Sequence, residues 1–171
     1  MSAHLSLEEI DILAVTRGPS SFTGIRVVLS VIQGFSLAHS FGLVTPTLFD
    51  LLAFWGKQQG MKRFLSVIDN QKGGGYVRVE DSQSSLEDCL ILSLENILAF
   101  MTQEDLTHIV TDLPEEIFPV DPSRVLRIEP EAFSLLLQAY SEEAENQKKP
   151  VLLTPFYGHT PQYVKKRSLY V

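Results

Sequence analysis

The spacing of apolar positions predicts alternating strands and helices through the first half of the chain. Residues 5–10 read as a helix end with acidic side chains, and 12–16, "ILAVT", as a short buried strand. "RGPSS" breaks that strand, because Gly and Pro punctuate, and Ser20 or Ser21 is placed to cap the next helix. Residues 22–39 carry a helical pattern that Gly42 stops. A short strand "LVTP" comes next, then a helix over 47–59 with Thr47 as its cap. Residues 64–68 predict a strand, and 76–79 its hairpin partner across "DNQKGGG". Strand–helix–strand–helix order at this spacing predicts an α/β half with at least one parallel pair.

The second half is less regular. Residues 94–101 predict a helix, 108–112 a short strand, 113–122 a proline-bearing loop and 123–128 another strand. Pro130 starts a helix running to about residue 145, with Ala132, Phe133, Leu136, Leu137 and Tyr140 on one side. Residues 150–171 read as an extended tail bearing Phe156, Tyr157, Tyr163 and Tyr170. The strand at 12–16 needs a neighbour on each edge, and the later segments obviously supply only one. An open edge invites pairing with another chain.

The helix over 22–39 is apolar nearly all round. Ile25, Val28, Leu29, Ile32 and Phe35 form one face, and Val27, Val31, Gly34 and Ala38 a second. Arg26, Ser30, Gln33, Ser36 and Ser40 leave a narrow polar strip. Such a helix is buried on more than one side. One side is expected on a sheet, the second under another helix of this chain or under a partner. Gly24, Ser30, Gly34 and Ala38 are small enough for close helix approach.

Composition narrows the class. The 171 residues suit one domain or two small lobes, and 44% hydrophobic with 20% charged residues is a globular balance. A net charge of −7 argues against a basic surface that holds a phosphate backbone unaided. The single cysteine, Cys89, forms no internal disulfide and fits a reducing cytosol. No basic, apolar leader and no run of membrane-spanning length is read, so a cytoplasmic protein is expected.

Candidate chemistry is sparse. The start of helix 22–39 offers unpaired N–H groups to a Ser side chain, a carbonyl or an anion, but it lacks a P-loop lysine and a dinucleotide glycine spacing. His4, His39, His108 and His159 are too far apart in sequence to share a helix face, so no local metal motif is expected. A triad of Ser21, His39 and Asp69 has no support in the spacing, and there is no nucleophile elbow. Asp69, at a strand end, is the best lone acid for a cleft, with capping of the glycine-rich turn as its plainer role.

The stretch "RGPSSFTGIRVVLSVIQGFSLA" resembles the G-R-G-P-G-S-F-T-G-[LIV]-R signature of the TsaB (YeaZ) family and the small-and-apolar helix after it. "VTPTLFDLLA", "FLSVIDNQKGGGYVRVED" and "PQYVKK" resemble later family segments in the same order, while 82–147 matches loosely. Ser20 stands where the family has Gly, Asn70 where it has a small residue, and Lys165 where it has Arg. Ser20 would carry a steric penalty if its position needed a positive φ.

The resemblance implies an α/β fold of the ASKHA (actin-like ATPase, ribonuclease H-like) type, N-terminally truncated. The family's opening strand, two more strands and most of a helix precede the position of Leu5. Residues 1–60 would be the rest of a first lobe, and 61–171 a second lobe with the tail. The implied role is a non-catalytic subunit in synthesis of threonylcarbamoyladenosine in tRNA, docking to a TsaD-like catalytic subunit that works with a TsaE-like ATPase. ATP and a metal would then sit only in partner subunits, and tRNA would be met only indirectly. The docking residues would be Phe22, Thr23, Gly24, Val27, Val31, Gly34 and Ala38, and the signature loop Arg17, Gly18, Pro19, Ser20, Ser21 and Arg26. A glycoprotease-like (M22-type) hydrolase and a nonfunctional remnant are the alternatives, and a homodimer is a further partner arrangement.

Overall fold

The computed structural model describes residues 6–85, 88–146 and 152–158. A 3-10 turn at Leu7–Glu9 leads into β1 (Ile12–Ala14), α1 (Phe22–Ala38), β2 (Gly42–Val44) and α2 (Leu48–Gln58). The chain continues through β3 (Phe64–Asp69), β4 (Gly74–Glu80), β5 (Leu90–Ser93), α3 (Leu94–Gln103), β6 (Ile109–Thr111), β7 (Val125–Arg127) and α4 (Pro130–Asn146). The caps form where the hydroxyls stand. Ser21 Oγ accepts from Gly24 N at 3.1 Å, and Thr47 with Asp50 builds a reciprocal capping box.

The strands form two sheets. β1 and β2 pair in parallel, with Ile12 opposite Gly42. The larger sheet runs β5-β4-β3-β6-β7, antiparallel on the hairpin side and parallel from β3 through β6 to β7. Its central strand β3 is buried on both faces, which is why "FLSVI" reads as a continuous apolar run. The period-2 pleat sorts its residues: Phe64 and Ile68 join Phe49 and Leu52 of α2, whereas Leu65 and Val67 join Ile97 and Met101 of α3. Helices therefore cover opposite faces of one sheet.

α4 crosses back in space to the early elements. Its Ala132 and Leu136 pack with Val44 of β2 and Leu51 of α2, and with the partly buried Ile12 and Ala14 of β1. Of the expected α4 face, Phe133 and Leu137 are half-buried and Tyr140 is exposed.

Three expectations change. β1 is a half-buried strand of three residues, because among the described residues only β2 pairs with it. Strand β5 is not among the strands that the pattern predicts; it is short and mostly exposed at the sheet edge, so it lacks the burial that writes alternation into a sequence. The face of α1 expected to lie inside is narrower: only Ile25 and Leu29 are buried, and Val28 and Phe35 reach solvent.

Candidate functional site

α1 presents a largely uncovered surface. Phe22, Val27, Val31 and Leu37 are 51%, 57%, 48% and 73% exposed, and Thr23, Gly24, Gly34 and Ala38 are exposed or half-buried beside them. Nothing lies within 4 Å of the place where a side chain on Gly34 would begin. The second apolar face read from the sequence is thus the face that no element of the described chain covers. Scattered apolar surface is ordinary, but Val27, Val31, Gly34 and Ala38 share one helical face and all are exposed, which marks an interaction site.

The signature loop is built into the body of the protein. Arg17 donates its N–H to the Pro46 carbonyl at 2.9 Å, and its own carbonyl accepts from Phe156 N at 2.7 Å. The Gly18 carbonyl accepts from Leu48 N at 2.7 Å. Gly18 has φ +105° and lies against the Phe156 carbonyl, so a side chain there meets both strain and backbone. Ser20 is not among the positive-φ residues, so the steric penalty conditionally expected for it does not arise. Arg26 lies 3.8 Å over the Phe22 ring, and its Nε donates to the Tyr157 hydroxyl at 2.6 Å.

Beside the loop is a cleft of about 360 Å³, lined by Ser20, Ser21, Phe22, Asp69, Lys72 and Tyr157 among others. Asp69 therefore does reach a cleft, as its strand-end position suggested. It also fills its plainer role, because Oδ1 accepts from Gln71 N at 2.6 Å. Asn70 Oδ1 accepts from Lys72 N and Gly74 N at 2.8 and 3.1 Å. The turn uses these three amides on its own side chains, so it does not fit a nucleotide phosphate, which would need them free.

Sequence reasoning missed Asp112. It comes directly after β6, the parallel neighbour of β3, and its Oδ1 accepts from Asp69 N at 3.0 Å. Burial holds its carboxyl above the usual range, and the nearby Asp69 charge adds to that. The available signal was an acid at a second parallel strand end, the same logic that selected Asp69. Among the described residues no three His, Cys, Asp or Glu side chains gather as a metal site. The triad does not assemble either: Ser21 and His39 cap opposite ends of the 17-residue α1, about 25 Å apart at ~1.5 Å per residue. His4, His159 and Lys165 lie outside the described residues.

Comparison with known proteins bears on the same segments. Residues 1–53 match the family model described as TsaD, tRNA N6-adenosine threonylcarbamoyltransferase. A TsaB, the tRNA threonylcarbamoyladenosine biosynthesis protein, from Buchnera aphidicola is 56% identical over 34 residues, which is 20% of this chain and 15% of that protein. Its Escherichia coli counterpart is 35% identical over 72 residues, 42% of this chain and 31% of that protein. Over these segments the chain is similar to TsaB proteins. The matched segments span well under two thirds of either curated relative.

Two solved structures from Pseudomonas aeruginosa extend the likeness through the fold. One, a protein with similarity to peptidase YeaZ, aligns over 88% of this chain and 76% of its own, with TM-score 0.53 and 22% identity. The other, YeaZ itself, aligns over 86% and 77%, with the same score and identity. The fold is the ASKHA type that the TsaB resemblance implied. No helix among the described residues is long and apolar enough to cross a membrane.

Proposed function

We propose that this chain acts in synthesis of threonylcarbamoyladenosine in tRNA as a non-catalytic subunit, docking through α1 to a TsaD-like catalytic subunit. The observation that carries this reading is the exposed face of Val27, Val31, Gly34 and Ala38 on α1, the helix that follows the signature loop. A partner helix laid along it would bury the apolar side chains, and Gly34 and Ala38 would let the backbones approach. On this reading the chain holds the catalytic subunit in its working shape. ATP and metal are handled by the partner subunits, a TsaE-like ATPase joins through the complex, and the net charge of −7 leaves tRNA to them.

A hydrolase of the same broad fold gains nothing from the geometry, since Ser21 Oγ is engaged as a helix cap and no His stands beside it among the described residues. Co-purification with the TsaD-like subunit of the same organism, wild type against Val31→Glu, tests the proposal. A complex formed by wild type and lost in the variant supports it. A folded wild type that ignores the catalytic subunit sinks it, in favour of a remnant, and self-association through the same stripe would instead show as a dimer on sizing.

A further inference from the structure

The first turns of α1 have little of their own to rest on. Only Ile25 and Leu29 of the helix are buried, four residues apart on one narrow line. A helix with so small a buried stripe depends on other contacts for a fixed position. Those contacts come from the far end of the chain, residues 152–158.

Within this segment Phe156 and Tyr157 meet different parts of the protein. Phe156 points inward, where its ring meets Phe49 of α2 edge-on at 6.4 Å and joins the cluster of Phe64, Ile68 and Val110. Tyr157 points the other way, onto α1. Its ring stacks on Phe22 with centroids 5.1 Å apart and planes at 28°, and its hydroxyl accepts from Arg26. Arg26 in turn covers Phe22, so the guanidinium and the two rings make one cluster on the first turns of α1. The Phe156 N–H closes onto the Arg17 carbonyl, and Gly158, at φ +73°, fits between Tyr76 of β4 and Pro19. One short segment thus grips the core with one side chain and the helix start with the next.

We infer that residues 152–158 are a strap that positions the first turns of α1 and so sets the shape of the proposed docking face, an inference that rests on the docking reading above. Tyr157 and Phe156 are positioning residues for that face. Phe22 belongs both to the cluster and to the proposed docking residues, so release of the strap frees an aromatic side chain at the start of the docking helix.

The test is hydrogen exchange of the full chain, read over 22–30 and over α2, for wild type, Tyr157→Ala and Phe156→Ala, with affinity for the TsaD-like subunit measured beside it. A stacked pair plus a hydrogen bond to a charged group is enough to change local opening roughly tenfold. Faster exchange over 22–30 in Tyr157→Ala, with α2 unchanged and binding weakened, is the expected result, and Phe156→Ala should act in the same direction from the other prong. Unchanged exchange over 22–30 in Tyr157→Ala overturns the strap, and weakened binding without faster exchange would mean that Tyr157 simply touches the partner. Faster exchange with full affinity overturns its role in docking. A wild-type chain that does not bind sinks the docking reading alone, and the exchange data still decide whether the strap positions α1.

Discussion

Arg78 and Glu80 meet as a buried ion pair on one face of β4, Nε to Oε1 at 2.8 Å, with side-chain exposures of 5% and 1%. Residues two apart on a strand share a face, so the pair is local, yet its surroundings are not. Arg78 also lies 4.8 Å from the Phe49 ring and 3.9 Å from the Asp50 carboxylate, both in the first turn of α2. The pair therefore ties the sheet to the start of that helix.

Removing the cation should be costly. Arg78→Met strands a buried carboxylate, and loss of one partner from a buried pair costs roughly 3–5 kcal/mol. Glu80→Gln keeps a hydrogen-bond acceptor and should cost less than Arg78→Met. Urea unfolding of both variants checks the order, and equal stabilities would contradict it.

Glu80 and Asp112 give a pH dependence with a definite sign. Burial raises both carboxyls, outweighing the pull of Arg78 on Glu80. The folded state then holds these protons at pH values where the unfolded chain has lost them. Their contribution to stability falls as pH rises from the ordinary carboxylate range to the raised folded values. Stability from these two groups should therefore increase as neutral solution is acidified toward about pH 5. The double variant Glu80→Gln, Asp112→Asn should flatten that part of the curve, and an unaltered slope would assign it to other groups.

The two sides of α1 should respond to substitution with very different magnitudes. Val31→Glu lies on the uncovered stripe and should shift stability by no more than ~0.5 kcal/mol. Leu29→Ala, at a position 3% exposed, should cost about 2–5 kcal/mol. Thermal melts of the isolated chain separate them. A large loss in Val31→Glu would show that the stripe is covered within the chain.

Cys89 should be a poor nucleophile. Burial pushes its thiol up to about 12, and only the thiolate reacts readily. Iodoacetamide at mildly alkaline pH should label the native chain slowly and the urea-unfolded chain quickly. Equal rates would mean that the thiol is not shielded.

ATP should bind weakly or not at all. The amides of Gln71, Lys72 and Gly74 are already bonded to Asp69 and Asn70. Isothermal titration showing tight one-to-one binding to the isolated chain would overturn this reading of the turn.

Local order was legible in the residues themselves. Ser21 and Thr47 cap the helices they precede, and the apolar run of β3 marks a strand buried on both faces. The family signature and the apolar stripe of α1 also come from short-range spacing, because a helix fixes which residues share a face. These features are set by neighbours a few positions apart, and a linear pattern carries that information.

Only the tertiary structure decided the rest, because it depends on which distant segments meet. No local pattern says that β3 lies between β4 and β6, or that α4 returns to β1 and β2. Asp112 gains its meaning only beside Asp69, once β6 is parallel to β3. The strap is the clearest case: Arg26 and Tyr157 are 131 residues apart, and their contact rests on Phe156 being held against α2. Periodicity names the faces of the elements, and close packing of the whole chain chooses which of those faces are covered.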